Sequence, residues 1–173
     1  MQIVLLGYMG SGKTAVGEEL SKVLNRPFYD LDQLIEREEN ATIERIFKER
    51  GEIYFRKREA EILRSFLTTE TPFVLSLGGG TPCYAGNMDH LLDIPELRTI
   101  YLKTSLDTIV QRLWEERATR PLVAHLDEME QLEDFVRKHL FERAPIYLRA
   151  HWLIDTDGLS PGDVARRIVL KLF

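Results

Sequence analysis

Residues 7–14 constrain the fold more than any other part of this sequence. They read Gly-Tyr-Met-Gly-Ser-Gly-Lys-Thr and match the pattern G-x-x-x-x-G-K-[ST]. A strand-sized apolar run at 2–6 precedes them, and apolar residues recur at helical spacing from 16 to 24. Between a strand and a helix, such a loop surrounds a phosphate with backbone N–H groups, while Lys13 reaches the β- and γ-phosphates and Thr14 binds Mg²⁺. We therefore predict a phosphate-binding loop, called the P-loop below. The alternative is a glycine-rich turn without a ligand.

Short apolar runs alternate with helical patterns along the rest of the chain. Breaks near Asn40 and Gly51 divide a helical region at about 32–69, and a long helix is predicted from about 128 to 143. The predicted strands are 2–6, 27–30, 72–77, 99–102 and 152–155. Strands that are separated by helices cannot pair as tight hairpins. We therefore predict a single α/β domain, 1–173, with a parallel sheet flanked by helices on both faces.

The composition excludes several classes of protein. The formal net charge is −5, from 23 basic and 28 acidic residues, so a broad nucleic-acid-binding surface is not expected. No apolar stretch approaches the roughly 18 residues of a membrane helix. Cys83 is the only cysteine, which leaves no intrachain disulfide and no multi-thiolate metal site. The first residues lack the features of a signal peptide, so we expect a cytoplasmic protein that binds small molecules.

Two carboxylates follow the second predicted strand. Asp30 and Asp32 stand at its carboxyl end, where ligands bind in open α/β sheets. Side chains alternate along a strand, so we expect the two carboxylates to point differently, one to a metal ion and the other to the substrate. The alternative is that an aspartate here only caps the following helix.

Three charged residues fall on helix faces that also carry core residues. Arg56 and Glu59 share a face with Leu63, and Arg143 lies on the inward face of the long helix. Because a charge on a buried face needs a partner or a ligand, we expect these side chains to take part in ligand binding, with the two arginines binding an anionic group. The alternatives are a structural Arg56–Glu59 pair and a pairing of Arg143 with Glu59 or Asp32.

Glycines and arginines mark two further segments. The three glycines at 78–80 end the third predicted strand and allow a small molecule to lie against the backbone, although a plain turn is the alternative. Arg112 precedes a polar segment at about 115–127 that contains Arg117 and Arg120. We interpret this segment as a mobile lid that brings guanidinium groups onto phosphates, with Arg117 equally explained as a solvated charge.

The P-loop alone does not distinguish a kinase from a GTPase or a motor protein. The guanine-reading motif N-K-x-D does not occur in the sequence, and the chain is short for a motor. Two inward arginines suit a carboxylate, and an aspartate suits a hydroxyl acceptor, so the residues favour phosphoryl transfer to a small molecule.

Together these motifs resemble the shikimate kinase family, nearly from end to end. The resemblance rests on the P-loop, Asp30-x-Asp32, Gly51-Glu52-x-x-Phe55-Arg56-x-x-Glu59, Gly78-Gly79-Gly80, Arg120-Pro121-Leu122 and Arg143-Ala144-Pro145-x-Tyr147. The chain departs from the family pattern at Asn40, where the family has glycine. The stretch from Arg112 to Arg120 also carries Trp114, Glu115 and Glu116, which are bulkier and more acidic than is usual in the family.

The resemblance implies a fold, a reaction and a role for each site residue. The fold is a three-layer P-loop kinase fold with a five-stranded parallel sheet in the order 2-3-1-4-5. The reaction is ATP-dependent phosphorylation of the shikimate 3-hydroxyl in aromatic amino acid biosynthesis, by an enzyme that we expect to be a monomer. The implied catalytic residues are Lys13, Asp32 and Arg120. The implied ATP-binding residues are Gly10, Ser11, Gly12, Lys13, Thr14, Ala15, Arg112, Arg120 and Asp157. The implied shikimate-binding residues are Asp32, Arg56, Glu59, Gly79, Gly80 and Arg143, and Thr14 and Asp30 position Mg²⁺.

Two other functions stay open at this point. A gluconate-type or nucleoside monophosphate kinase also acts on substrates that carry anions and hydroxyls. A nucleotide-gated binding protein would keep the P-loop without turnover. Consumption of ATP only in the presence of shikimate separates the three.

Overall fold

Five parallel strands form the sheet at the centre of the structure, a computed structural model that describes residues 1–120 and 122–172. The strands are β1 (Gln2–Leu6), β2 (Phe28–Asp30), β3 (Val74–Ser76), β4 (Leu97–Lys103) and β5 (Trp152–Asp155). Their order is β2-β3-β1-β4-β5, and every neighbouring pair is parallel. The predicted α/β fold and strand order are confirmed. Pro121 of the predicted lid and Phe173 lie outside the described residues.

Helices connect the strands. They are α1 (Lys13–Leu24), α2 (Leu31–Glu39), α3 (Ile43–Leu67), α4 (Asn87–Leu92), α5 (Leu106–Glu116), α6 (Met129–Tyr147) and α7 (Pro161–Leu172). Short 3-10 turns cover Thr81–Cys83 and Arg117–Thr119. In the part of the chain that the structure describes, no helix is long and apolar enough to cross a membrane.

The central strand β1 separates two hydrophobic cores. All five of its residues are buried, which is typical of a parallel strand covered on both faces. Ile3 and Leu5 belong to the core that contains α1 and α7 residues, whereas Val4 and Leu6 belong to the core formed with α2, α3, α5 and α6. The alternation along β1 therefore produces the predicted three layers of helices, sheet and helices.

The two predicted breaks in the helical region at 32–69 are confirmed. Asn40 ends α2 in the left-handed conformation, with φ of 49°, which asparagine tolerates better than most residues. Gly51 kinks α3, with φ of 82° and ψ of 171°, a conformation that requires glycine. The asparagine thus takes the backbone role that the family pattern assigns to glycine.

Several boundaries differ from the prediction. α4 was not predicted, β3 is shorter than expected and β4 is longer. The long helix continues to Tyr147, through Pro145, instead of ending near 143. Its last turn is held by tertiary contact, because Tyr147 is fully buried and its hydroxyl donates a hydrogen bond to the carbonyl oxygen of Gly79.

The predicted lid is attached to the larger core through its second half, where Val123 is buried and Leu126 packs against the core. The segment leaves α5, passes through the 3-10 turn at Arg117–Thr119 and reaches Val123, which is fully buried in the larger core. The polar pattern of this segment did not indicate such an attachment. The arginine-bearing part of the lid therefore precedes this attachment.

Candidate active site

The P-loop joins β1 to α1 at the carboxyl end of the sheet. Gly10 and Gly12 adopt left-handed backbone conformations, with φ of 80° and 87°, which residues with a side chain rarely adopt. Gly12 is the N-cap of α1, and no side chain caps the first N–H groups of this helix. These N–H groups and the positive end of the helix dipole therefore favour an anion in the cavity that the loop lines.

Lys13 carries the positive charge of the loop. Its ammonium group donates hydrogen bonds to the carbonyl oxygens of Gly7, at 2.9 Å, and Tyr8, at 3.0 Å. Burial lowers the pKa of Lys13 to about 8, although the carboxylates of Asp32 and Asp30 oppose this change. A phosphate beside the ammonium would raise the pKa again, so an anionic ligand and the protonated lysine stabilise each other.

A cavity of about 560 Å³, called the larger cavity, lies in front of the P-loop. Arg112 lines it and donates a hydrogen bond to the carbonyl oxygen of Gly10 at 2.9 Å. Leu159, Pro161 and Val164 form an apolar part of its wall. The predicted P-loop contacts all line it, namely Gly10, Ser11, Gly12, Lys13, Thr14 and Ala15. Cationic and apolar walls in one cavity of this size suit a nucleotide.

Asp157, a predicted ATP-binding residue, lies beside the larger cavity. Both of its carboxylate oxygens accept hydrogen bonds from the backbone N–H of Ser105, at 3.2 Å. Thr156 and Leu159, on either side of it in the sequence, do line the cavity. Asp157 therefore orders the start of α5 next to the cavity, and its carboxylate is already engaged there.

Asp30 and Asp32 both line the larger cavity. β2 ends at Asp30 and α2 begins at Leu31, so the alternation of a strand does not set the directions of the two carboxylates, as we had assumed. Oδ1 of Asp30 accepts a hydrogen bond from the N–H of Asp32 at 3.0 Å, which confirms helix capping for Asp30. Burial, followed by the neighbouring carboxylates of Asp30 and Glu59, raises the pKa of Asp32 to about 6.

A second cavity of about 310 Å³, called the smaller cavity, adjoins the first. The predicted substrate-binding residues all line it, namely Asp32, Arg56, Glu59, Gly79, Gly80 and Arg143. Phe47 and Phe55 add an apolar side, and their ring centroids are 4.5 Å apart. Two guanidinium groups beside an apolar surface suit a small anionic ligand that has one apolar face.

Arg56 and Glu59 form an ion pair, which was the alternative to ligand binding in the sequence analysis. Nη1 of Arg56 donates to Oε2 of Glu59 at 2.8 Å, and the hydroxyl of Thr81 donates to Oε1 of Glu59 at 2.6 Å. Glu59 is only 1% exposed, so both oxygens of a buried carboxylate are satisfied. Arg56 still lines the smaller cavity, and the pair therefore coexists with ligand binding. A Cβ at Gly80 would lie 2.7 Å from Nη2 of Arg56, which explains the glycine at this position.

Arg143 projects from α6 to the same cavity. Among the described residues, no carboxylate lies within 4.0 Å of its guanidinium group, so the alternative of a pairing with Glu59 or Asp32 is not observed. The group lies instead 5.5 Å from the ring centroid of Tyr8 and next to the backbone of Gly79. An arginine held by an aromatic ring keeps its charge available for an anionic ligand.

The two cavities share one wall. Five residues line both of them, namely Met9, Asp32, Gly78, Gly79 and Arg120. Nε and Nη2 of Arg120 donate to Oε2 of Glu116, at 2.8 Å and 2.5 Å, and Glu116 also lines the larger cavity. At the junction where two ligands would meet, Asp32 therefore offers a carboxylate that can accept a hydrogen bond from a hydroxyl group, and Arg120 offers a cation.

Sequence analysis missed three residues of this arrangement. Met9 occupies a variable position of the P-loop motif, which carries no chemical signal. Thr81 follows the three glycines, and its partner Glu59 is revealed only by the tertiary fold. Glu116 stood out only as an acidic residue, although its spacing from Arg120 is the i,i+4 spacing of helical ion pairs and could have indicated the contact.

Comparison with known proteins agrees with this geometry. The family model described as shikimate kinase matches residues 9–173. A shikimate kinase from Flavobacterium psychrophilum is 46% identical over 173 residues, which cover 99% of each protein. The crystal structure of a shikimate kinase from Bacteroides thetaiotaomicron superposes with a TM-score of 0.91 at 34% identity, covering 99% of this chain and 98% of the other. A shikimate kinase from Acinetobacter baumannii in complex with shikimate superposes with a TM-score of 0.86 at 36% identity, covering 99% and 92%.

Proposed function

The chain belongs to the shikimate kinase family, and from this premise we propose how the residues of the two cavities divide the reaction. The enzyme uses ATP to phosphorylate shikimate in the biosynthesis of aromatic amino acids. We assign the transfer to the 3-hydroxyl group. We assign ATP to the larger cavity and shikimate to the smaller one, and the shared wall of the two cavities carries this assignment. Phosphoryl transfer requires the donor and the acceptor to meet in line.

Shikimate occupies the smaller cavity, with its carboxylate on Arg56 and Arg143. Arg143 has no competing carboxylate among the described residues, and Glu59 fixes Arg56 through the 2.8 Å hydrogen bond. A planar guanidinium binds a carboxylate through two parallel hydrogen bonds, which sets the orientation of the ring. The backbone at Gly79 and Gly80 allows the ring to approach closely.

Asp32 binds the acceptor hydroxyl and takes up its proton. It lines both cavities, and its raised pKa of about 6 keeps it ionised near neutral pH while making it a better proton acceptor than an ordinary aspartate. Positioning and proton acceptance are the two contributions that a carboxylate makes to a hydroxyl nucleophile.

ATP occupies the larger cavity. Its phosphates contact the P-loop N–H groups from Gly10 to Ala15, and Lys13 and Arg120 stabilise the negative charge that develops during transfer. The base lies towards Arg112 and the loop that contains Asp157.

Thr14 and Asp30 fit a magnesium ion. Both line the larger cavity, both offer oxygen donors, and Mg²⁺ prefers a few protein oxygens together with water and phosphate. The ion would neutralise phosphate charge during transfer. Asp30 caps α2 through Oδ1, which leaves Oδ2 for a water-mediated contact to the ion.

The segment 115–127 acts as a lid. Its arginine-bearing half lies between α5 and the attachment at Val123, and Arg120 is held there by one exposed ion pair with Glu116. Exposed pairs contribute about 1 kcal/mol or less, so a phosphate can displace Glu116 easily. Closure then excludes water from the junction.

The enzyme works as a monomer in the cytoplasm. Residues of one chain line both cavities, so no second subunit is needed to complete the site. Size-exclusion chromatography with light scattering measures the mass in solution.

A coupled assay of ADP release tests the proposed function. Shikimate, quinate, gluconate and nucleoside monophosphates are each supplied with Mg·ATP, and only shikimate should support turnover. Phosphate should appear on the 3-hydroxyl when the product is analysed by ³¹P–¹H correlation NMR. Equal turnover with gluconate or a nucleotide, or ADP release without any acceptor, would contradict the assignment.

A further inference from the structure

Arg56 is held by more than its carboxylate partners, which are Glu59 and, 3.6 Å from Nε, the more exposed Glu52. The centre of its guanidinium group lies 4.2 Å from the ring centroid of Tyr84, and the ring of Phe55 is 5.1 Å away. An arginine over the face of an aromatic ring within about 6 Å gains electrostatic attraction and stacking. Phe55 lines the smaller cavity, whereas Tyr84 is not part of its wall.

Tyr84 sits in a loop that is fixed from several sides. The loop follows the 3-10 turn at Thr81–Cys83, whose Thr81 hydroxyl donates to Glu59. The side chain of Asn87, which is buried, donates to the carbonyl oxygen of Thr81 at 2.9 Å. Arg64 of α3 donates to the carbonyl oxygen of Ala85 at 2.8 Å. The backbone on both sides of Tyr84 is thus tied to α3, the helix that carries Arg56.

The guanidinium group of Arg56 is therefore confined in three directions. Nη1 is held by Glu59, one edge lies against Gly80, where a Cβ would be 2.7 Å away, and the ring of Tyr84 stacks on the group. A long side chain that is already ordered loses less conformational entropy when a ligand binds. The ring also shields the charge from water, which strengthens its attraction to an anion.

We propose that Tyr84 is a positioning residue for the shikimate carboxylate, acting through Arg56. The proposal rests on the proposed function, specifically on Arg56 as a carboxylate ligand. It assigns the effect to the ring and not to the hydroxyl, because the ring is the part that stacks on the guanidinium group.

Three variants test this proposal. Tyr84→Leu removes the ring, Tyr84→Phe keeps it, and Arg56→Gln removes the charge while leaving a hydrogen-bond donor for Glu59. Tyr84 is 38% exposed, so all Tyr84 variants should fold, and thermal melting checks this. Calorimetry measures the Kd for shikimate, and steady-state assays give kcat and both KM values.

We expect Tyr84→Leu to weaken shikimate binding about three- to tenfold, with kcat and the KM for ATP unchanged, and Tyr84→Phe to bind as wild type does. In the Arg56→Gln background, Tyr84→Leu should add less than about a twofold effect, since coupled residues are not additive.

Four results would overturn the proposal. If Arg56→Gln weakens binding but Tyr84→Leu does not, the inference fails and the role of Arg56 stands. If Tyr84→Phe loses as much affinity as Tyr84→Leu, or if the loss persists in full with Arg56→Gln, Tyr84 acts by another route. If Arg56→Gln itself binds shikimate normally, the proposed role of Arg56 fails, and the inference fails with it.

Discussion

Asp32→Asn should make the ligand-free enzyme more stable at pH 8 while it abolishes turnover. Burial, together with the carboxylates of Asp30 and Glu59, raises the pKa of Asp32 from 3.8 to about 6. One pKa unit corresponds to about 1.4 kcal/mol, so the ionised carboxylate lowers the free energy of unfolding by up to about 3 kcal/mol. Water in the cavity screens part of this effect, and we expect a gain of about 1–2 kcal/mol in the variant.

The pH dependence of this gain follows from the direction of the pKa change. Above pH 6 the carboxylate is ionised in the folded and the unfolded chain, and its full destabilising effect is present. Below 3.8 it is protonated in both states, and the effect is absent. As the pH falls from 8 to 5, the advantage of Asp32→Asn over wild type should therefore shrink to about half.

Urea unfolding at pH 8 and pH 5, followed by circular dichroism, measures this difference. With a typical slope of about 2 kcal/mol per molar urea, the midpoint at pH 8 should rise by about 0.5–1 M. Asp93→Asn, at an exposed position, is the control for the loss of one negative charge. The reasoning is refuted if Asp32→Asn is no more stable than wild type at pH 8, or if its advantage is the same at both pH values.

Further substitutions test the remaining parts of the site. Lys13→Met should reduce kcat by orders of magnitude with the fold intact by circular dichroism, and retained turnover would refute its role. Gly80→Ala places a Cβ 2.7 Å from Nη2 of Arg56, so the KM for shikimate should rise while the KM for ATP stays constant in steady-state assays. Arg143→Lys should raise the KM for shikimate strongly, because an ammonium group cannot form the two parallel hydrogen bonds; a wild-type KM would contradict the clamp. Arg120→Ala should lower kcat more than it lowers the affinity for shikimate. In the unsubstituted enzyme, amide hydrogen exchange at 115–120 and 122–127 should slow only when nucleotide and shikimate are bound together. Equal exchange rates in the free and ternary states would remove the lid from the mechanism.

Local signals in the sequence predicted most of the fold. The P-loop located β1 and α1, and the breaks at Asn40 and Gly51 followed from residues that tolerate or require positive φ. Six residues are too few for helical periodicity to be visible, so α4 was missed. The long helix was predicted to end near 143, whereas contact between Tyr147 and Gly79 extends it, and such distant contacts leave no local pattern.

The site was predictable where its residues stand at the ends of strands or on core-facing helix positions. Asp32, Arg56 and Arg143 were found in this way, and the structure brings all three to one cavity. What surrounds each of them was not predictable. The absence of a carboxylate beside Arg143 within residues 1–120 and 122–172, and the ring of Tyr84 on Arg56, depend on how distant segments of the chain pack together.

The shared wall of the two cavities also matters for ligand design. Because Gly78 and Gly79 border both cavities, no bulky side chain stands between them at these positions. A single compound could carry a polyphosphate mimic for the P-loop and a carboxylate for Arg56 and Arg143, joined by a short linker that passes these glycines. Joining two weak fragments makes the second contact intramolecular, and a linker that matches the span increases affinity about 10²–10⁴-fold without any new contact.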